Sequence, residues 1–285
     1  MRINYTRFKY LRNLSEGDDM RFGLSSSVYE IEFRELFRTA EDLGKLYLNY
    51  IDSGVKFALE HGFKVIEVAA LLSNSHEFLP PILKQIKEKV KVFDEISFHT
   101  PLRFVSLKAM KECILIGKKL GAKKMVIHPD SYPAHPNNLT RAQTFLRNKP
   151  EEMVELISFC KKRGLVPCLE NMPTEMPKYN RPEEFDYFVK KGAYLTIDTG
   201  HAAVVNIDPV SFLERFRKKV KHIHLQDGLT GMPDEHHALG DGNVDYVKFL
   251  NKLEEMKFKD LVILELVSEQ DVIKSMNRIK KFIKF

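Results

Sequence analysis

Pro150-Glu151-Glu152-Met153-Val154-Glu155-Leu156-Ile157-Ser158-Phe159-Cys160-Lys161-Lys162-Arg163-Gly164-Leu165-Val166-Pro167-Cys168-Leu169-Glu170-Asn171 is one unit of a pattern that recurs along the chain. Proline at the first turn, followed by two glutamates, suits the positive end of a helix. Met153, Leu156, Ile157 and Cys160 then fall at helical spacing, and Gly164 stops the helix. Residues 166–171 follow as a short apolar run ending in Glu170-Asn171, the pattern of a buried parallel strand. Working outwards, similar runs occur at 21–26, 64–69, 95–102, 123–129, 194–199, 222–227 and 261–267, which makes eight strands. Amphipathic segments lie between them. In 108–120, Met110, Ile114 and Leu115 mark one face and Gly121 ends the helix; Pro80-Pro81 opens another, with the basic run 84–91 on its solvated side. Asp208-Pro209 and Asn243 read as caps of two more. Strand–helix units in this number, joined by right-handed crossovers, predict an α/β protein, a single-domain (β/α)8 barrel of the TIM type. A doubly wound open sheet would need a glycine-rich phosphate turn after its first strand, and Gly23-Leu24-Ser25-Ser26 has one glycine. Residues 1–20 read as an N-terminal extension, 21–285 as the barrel, and 27–44 as a helical insertion in the first connection.

The composition agrees with such a fold. The chain has 285 residues, 44% of them hydrophobic, enough for a barrel-sized core. Cys113, Cys160 and Cys168 form no C-x-x-C pair and no disulfide framework; they read as core packing in a reducing, cytoplasmic protein. No apolar run reaches the ~18 to 20 residues of a membrane span, and the basic N-terminus lacks the apolar stretch of a secretory signal. Membrane, secreted and fibrous classes are thereby excluded, and a monomer is expected. The net charge of +6 permits a polyanionic partner without requiring one.

In a barrel of this type the active site lies at the C-terminal ends of the strands. Here strand three reaches His99, strand four His128, strand five Glu170, strand six Asp198 and then His201, strand seven His224, and strand eight Glu265. The loop after strand seven adds Asp234-Glu235-His236-His237. Any one such residue alone would read as a hydrogen-bonded strand end. Together, imidazoles and carboxylates converging on one mouth repel one another unless cations compensate them. A mixed nitrogen and oxygen set without thiolate suits zinc or manganese, and it exceeds the four ligands of a single tetrahedral zinc. More than one metal is therefore expected. His61 ends a helix, His222 lies one layer deeper as a satisfied core residue, and His237 would support a neighbouring ligand. His76 and His135 fall in loops on the active face, where they could touch substrate.

The motifs Val126-Ile127-His128-Pro129, Leu169-Glu170-Asn171, Ile197-Asp198-Thr199-Gly200-His201, His224-Leu225-Gln226-Asp227, 234–243 and Leu264-Glu265 resemble those of the family-2 apurinic/apyrimidinic endonucleases, the endonuclease IV type, within the xylose-isomerase-like barrel superfamily. The resemblance runs from about Arg21 to the C-terminus, and every position of that family's three-zinc ligand set has a counterpart. It implies one zinc on His99, His128 and Glu170, a second on Glu170, Asp198, His224 and Glu265, and a third on His201, Asp234 and His236. It implies in-line hydrolysis of a phosphodiester, with Glu170 and Glu265 as catalytic carboxylates and DNA at an abasic site as substrate. Arg103, Arg141, Arg147 and Lys149 would then contact phosphates.

The superfamily's sugar and sugar-phosphate isomerases and epimerases are the competing resemblance. They match the four central positions, Glu170, Asp198, His224 and Glu265, and use one divalent ion, often manganese or magnesium. His99, His128 and the Asp234-x-His236 pair have no task in that chemistry, whereas an Asp-x-x-His pair like Asp198/His201 occurs on both sides. Some features depart from the endonuclease pattern. Gly23 is not followed by Ala-His, no aromatic residue follows His99 in Thr100-Pro101-Leu102-Arg103, and the loop 71–75 lacks a polar, DNA-penetrating character. Glu67, at the end of strand two, is closer to the isomerase side. Opening a duplex costs a few kcal/mol, which wedge residues normally offset.

Overall fold

A computed structural model of the chain describes residues 20–26, 40–70, 78–101, 106–129, 149–173 and 178–282. Eight parallel strands close into a barrel in sequence order: β1 (Arg21–Ser25), β2 (Val65–Ala69), β3 (Glu95–His99), β4 (Lys124–Ile127), β5 (Val166–Glu170), β6 (Tyr194–Asp198), β7 (Val220–Leu225) and β8 (Leu261–Leu264), with β8 pairing back onto β1. Helices α1 (Ala40–Glu60), α2 (Pro80–Val90), α3 (Leu107–Leu120), α4 (Pro150–Lys161), α5 (Asp186–Lys190), α6 (Thr199–Val204), α7 (Val210–Phe216), α8 (Tyr246–Glu255) and α9 (Glu269–Phe282) surround it. The expected (β/α)8 architecture is the one observed.

Helices α2, α3 and α7 begin where the sequence places the signals. Pro80 and Pro81 occupy the first turn of α2, which buries Ile82, Ile86 and Val90 along one stripe. Ser106 caps α3 by accepting a hydrogen bond from the Ala109 amide, and Gly121 closes that helix in the left-handed conformation at φ 99°. Asp208 Oδ1 accepts the Val210 amide at the start of α7, as expected. Asn243 does not cap α8; Asp245 does, accepting the Lys248 amide, while Asn243 Oδ1 receives the Thr230 amide across the preceding loop. Most strands are shorter than their apolar runs, because the residues after each strand bend away to form the mouth. β3 ends at His99 rather than 102, and β8 at Leu264. β7 starts earlier, at Val220, and ends at Leu225. The expected insertion at 27–44 lies mostly outside the described residues, and its last part is the first turn of α1 rather than a separate element.

Strand residues alternate between two cores. Outward-facing side chains such as Leu24, Ile66, Phe98, Leu169, Ile197 and Ile223 pack against the helices. Inside, Val65, Leu261 and Ile263 form a small apolar plug. Gly23 faces this plug, and a Cβ there would lie 2.6 Å from Ile263 Cδ1 and 2.9 Å from the Val65 Cβ. Below the plug, Glu95 pairs with Arg21 and, at 2.6 Å, with Lys124. Above it Glu67, Ser97, His99, His222 and His224 face inwards, and there the candidate site begins.

Candidate metal centre

The strand ends and the loop after β7 project their side chains into overlapping donor groups, three of which match the expected sets. In the first, Glu170 Oε2 lies 2.8 Å from His128 Nε2 and 3.2 Å from His99 Nε2. In the second, His224 Nδ1 lies 2.6 Å from Glu170 Oε1, 2.7 Å from Glu265 Oε2 and 3.8 Å from Asp198 Oδ2. In the third, Asp234 Oδ2 lies 2.9 Å from His201 Nε2 and 3.1 Å from His236 Nε2. Within each group one donor atom per residue falls inside 4.8 Å of the others. Glu170 thus turns one oxygen to the first group and the other to the second.

Local structure fixes these positions. The Asn171 side chain clamps the neighbouring strand, donating to the Asp198 carbonyl at 2.9 Å and accepting from the Asp198 amide at 2.7 Å. The Asp198 carboxylate caps α6 by accepting the His201 amide, which sets the Asp-x-x-His spacing on the first helical turn. Gln226 Nε2 donates to Asp198 Oδ2 at 2.7 Å, and Gly200 leaves it room, since a Cβ there would stand 2.7 Å from the Gln226 amide carbon. The loop bearing Asp234 and His236 is tied down by Asp227, whose carboxylate accepts the amides of Gly228, Gly240 and Val244.

The electrostatics are those of a crowded ionic cluster. Burial pushes every carboxyl up, yet neighbouring histidines outweigh it and hold Glu67, Glu170 and Asp234 well below the usual range, and Glu265 below it. At Asp198 burial prevails against His201 and raises the carboxyl to about 6. Burial opposes charge on His99 and His236 as well, but Glu170 lifts the first to about 9 and Asp234 the second to about 10. His128 and His222 are lowered, chiefly by burial.

The arrangement of the rings fits divalent metals. His99 Nδ1 meets the Thr100 carbonyl at 2.6 Å, His201 Nδ1 the Asn171 carbonyl at 2.7 Å, and His236 Nδ1 the Glu265 carbonyl at 3.2 Å. Each of these rings therefore donates its Nδ1–H to the backbone and turns Nε2 to its group, where a metal ion would take the place of the second proton, the usual support of a metal-binding imidazole. Asp234 Oδ1 is buried without a hydrogen-bond partner, an acceptor a cation would satisfy.

A family model described as a xylose isomerase-like TIM barrel matches residues 55–282. The chain belongs to that family. It is 24% identical to the uncharacterized protein MJ1311 of Methanocaldococcus jannaschii over 93% of this chain and 90% of that one. Its fold is similar to that of a D-tagatose 3-epimerase-like protein (TM-score 0.67, 23% identity, 93% and 97% of the two chains covered). It is also similar to endonuclease IV of Thermus thermophilus (TM-score 0.60, 18% identity, 92% and 98% covered). Both likenesses are of fold.

Within this xylose isomerase-like barrel, all the strand-end and loop residues singled out as ligands in the sequence come together: His99, His128, Glu170, Asp198, His201, His224, Asp234, His236 and Glu265. His222 sits one layer deeper, as expected, near Glu67 and Ser97. His237 pairs through its backbone with Asp227, and its ring lies 3.3 Å from Glu235 rather than against the cluster. His61 stacks on Phe57 away from the site. Lys149 precedes α4, its amide donating to Glu152. His76, His135, Arg103, Arg141 and Arg147 lie outside the described residues. Glu67, read from the sequence as the end of strand two, lies instead at the middle of β2. Its position between Val65 and Ala69 on β2 held the signal, since period-two alternation sends all three inward. No helix among the described residues is long and apolar enough to cross a membrane.

Proposed function

We propose that the chain is a metal-dependent phosphodiesterase with a multinuclear, zinc-type centre. The split use of Glu170 carries this reading. One buried carboxylate joins the His99/His128 group to the Asp198/His224/Glu265 group, and His201, Asp234 and His236 complete a third group beside them. Divalent ions held there would supply the positive charge that binds a phosphodiester and stabilises negative charge as it is cleaved. Glu170, His224 and Asp198 are fully buried and act as fixed donors, whereas Glu265 keeps 7% exposure and is the carboxylate placed to accept a proton from an attacking water. No protein nucleophile is needed, and Cys113, Cys160 and Cys168 are all buried in the core.

A DNA duplex with one abasic site is the first substrate to assay, followed by small phosphodiesters. Metal analysis of the purified chain should find at least two tightly held zinc or manganese ions; fewer than two would refute the multinuclear reading. The second reading is a sugar or sugar-phosphate isomerase or epimerase with one manganese or magnesium ion. The central group favours it, because its four buried donors form a complete site by themselves. His236→Ala separates the two. Phosphodiester cleavage should fall by roughly 10²-fold or more, on the scale of losing a group that stabilises transition-state charge, whereas a one-ion isomerase would keep its turnover.

A further inference from the structure

Beneath the metal centre lies a second polar layer that the proposed chemistry does not use. Glu67 is fully buried there, with both carboxylate oxygens engaged. Oε2 accepts from Ser97 Oγ at 3.0 Å and faces His222 Nε2 at 3.1 Å, while Oε1 faces His224 Nε2 at 3.0 Å. His99, His201 and His236 rest their outer nitrogens on backbone carbonyls. His224 is turned the other way round. Its Nδ1 faces Glu170 and Glu265, and its Nε2 rests on a side-chain carboxylate.

We propose that Glu67 is a positioning residue for the metal centre: it holds the proton of His224 on Nε2 and so fixes Nδ1 as the donor to the central group. This rests on the reading of the cluster as a metal centre. The physical case is threefold. A carboxylate accepts a hydrogen bond more strongly than a carbonyl and makes the opposite ring nitrogen the better donor. A fully buried carboxylate is costly and persists only where its partners hold it; Ser97 and His222 do that from the far side. Among the described residues Glu67 reaches the central group by a hydrogen bond to His224, so its effect should fall chiefly on the ion that His224 holds.

The test is a zinc titration of the full-length, metal-free chain against a chromogenic chelator, for wild type and Glu67→Gln. Glu67→Gln should weaken one ion per chain by about 10- to 100-fold, the usual effect of removing such a support, and leave the others unchanged. Unchanged affinities overturn the proposal, as does an equal weakening of every ion, which would mark a general structural role. A long-range 1H–15N imidazole spectrum of the zinc-loaded wild type needs no variant. It should show His224 protonated at Nε2 and zinc-bound at Nδ1, with His99, His201 and His236 in the opposite form; a His224 protonated at Nδ1 overturns the proposal. A wild-type chain that binds no zinc overturns the metal-centre reading itself, a result separate from a Glu67→Gln variant that binds like wild type.

Discussion

Asn171 illustrates how single side chains build the centre. Its two hydrogen bonds to the Asp198 backbone lock the mouth ends of β5 and β6 together and fix the spacing between Glu170 and Asp198. Replacing it by alanine leaves a buried amide and a buried carbonyl without these partners, each worth about 1–3 kcal/mol. Asn171→Ala should therefore lose about 2–4 kcal/mol in denaturant unfolding and also bind zinc more weakly. An unchanged midpoint would show that the clamp is dispensable. The residue was visible in the Leu169-Glu170-Asn171 motif, yet its task was not, because only the fold brings the next strand within reach. Glu67 makes the same point more sharply. Its inward direction was legible from the alternation on β2, but its partners lie 30, 155 and 157 positions away, at Ser97, His222 and His224.

Among the elements, β1 and β3 carry two separate constraints. Gly23 has no space for a side chain between Val65 and Ile263, so Gly23→Ala must move the plug or the strand. Overpacking of this kind costs typically 1–3 kcal/mol, and a chevron or equilibrium denaturation series would measure it. At the lower ends of the strands, Glu95 ties β3 to β1 and β4 through Arg21 and Lys124. Burial pushes its carboxyl up, but the Lys124 bond and charge, with Arg21, outweigh that and hold it below the ordinary value. A lowered carboxyl contributes stability above its unfolded pKa, and that contribution fades as pH falls through the folded one. Glu95→Gln should thus be about 1–3 kcal/mol less stable than wild type at pH 7, with the gap closing as the pH drops below about 4. A gap that persists unchanged in acid would assign the effect to packing instead.

For the whole molecule, the central fact is a barrel whose upper interior, among the described residues, holds five carboxylates and six imidazoles. Such a core holds together best when cations join it, so metal and fold should be linked. Zinc at 100 times its dissociation constant should add about 2.7 kcal/mol of stability per site by mass action. A chelator should lower Tm reversibly, and calorimetry with and without zinc checks this. A Tm indifferent to metal would mean that the protonated histidines alone balance the carboxylates. The barrel is legible in the chain: eight apolar runs and their intervening stripes are local periodic signals, and their C-terminal ends carry histidines and acids in plain view. The three-zinc resemblance went further and assigned each strand-end residue to a donor group. Which atoms face which, the division of Glu170's oxygens between two groups, and the support of His224 by Glu67 from below emerge from the folded barrel. Those are matters of ring orientation and layer depth. They are set by strand register and barrel closure, which join residues far apart in the chain and leave no local periodicity to read.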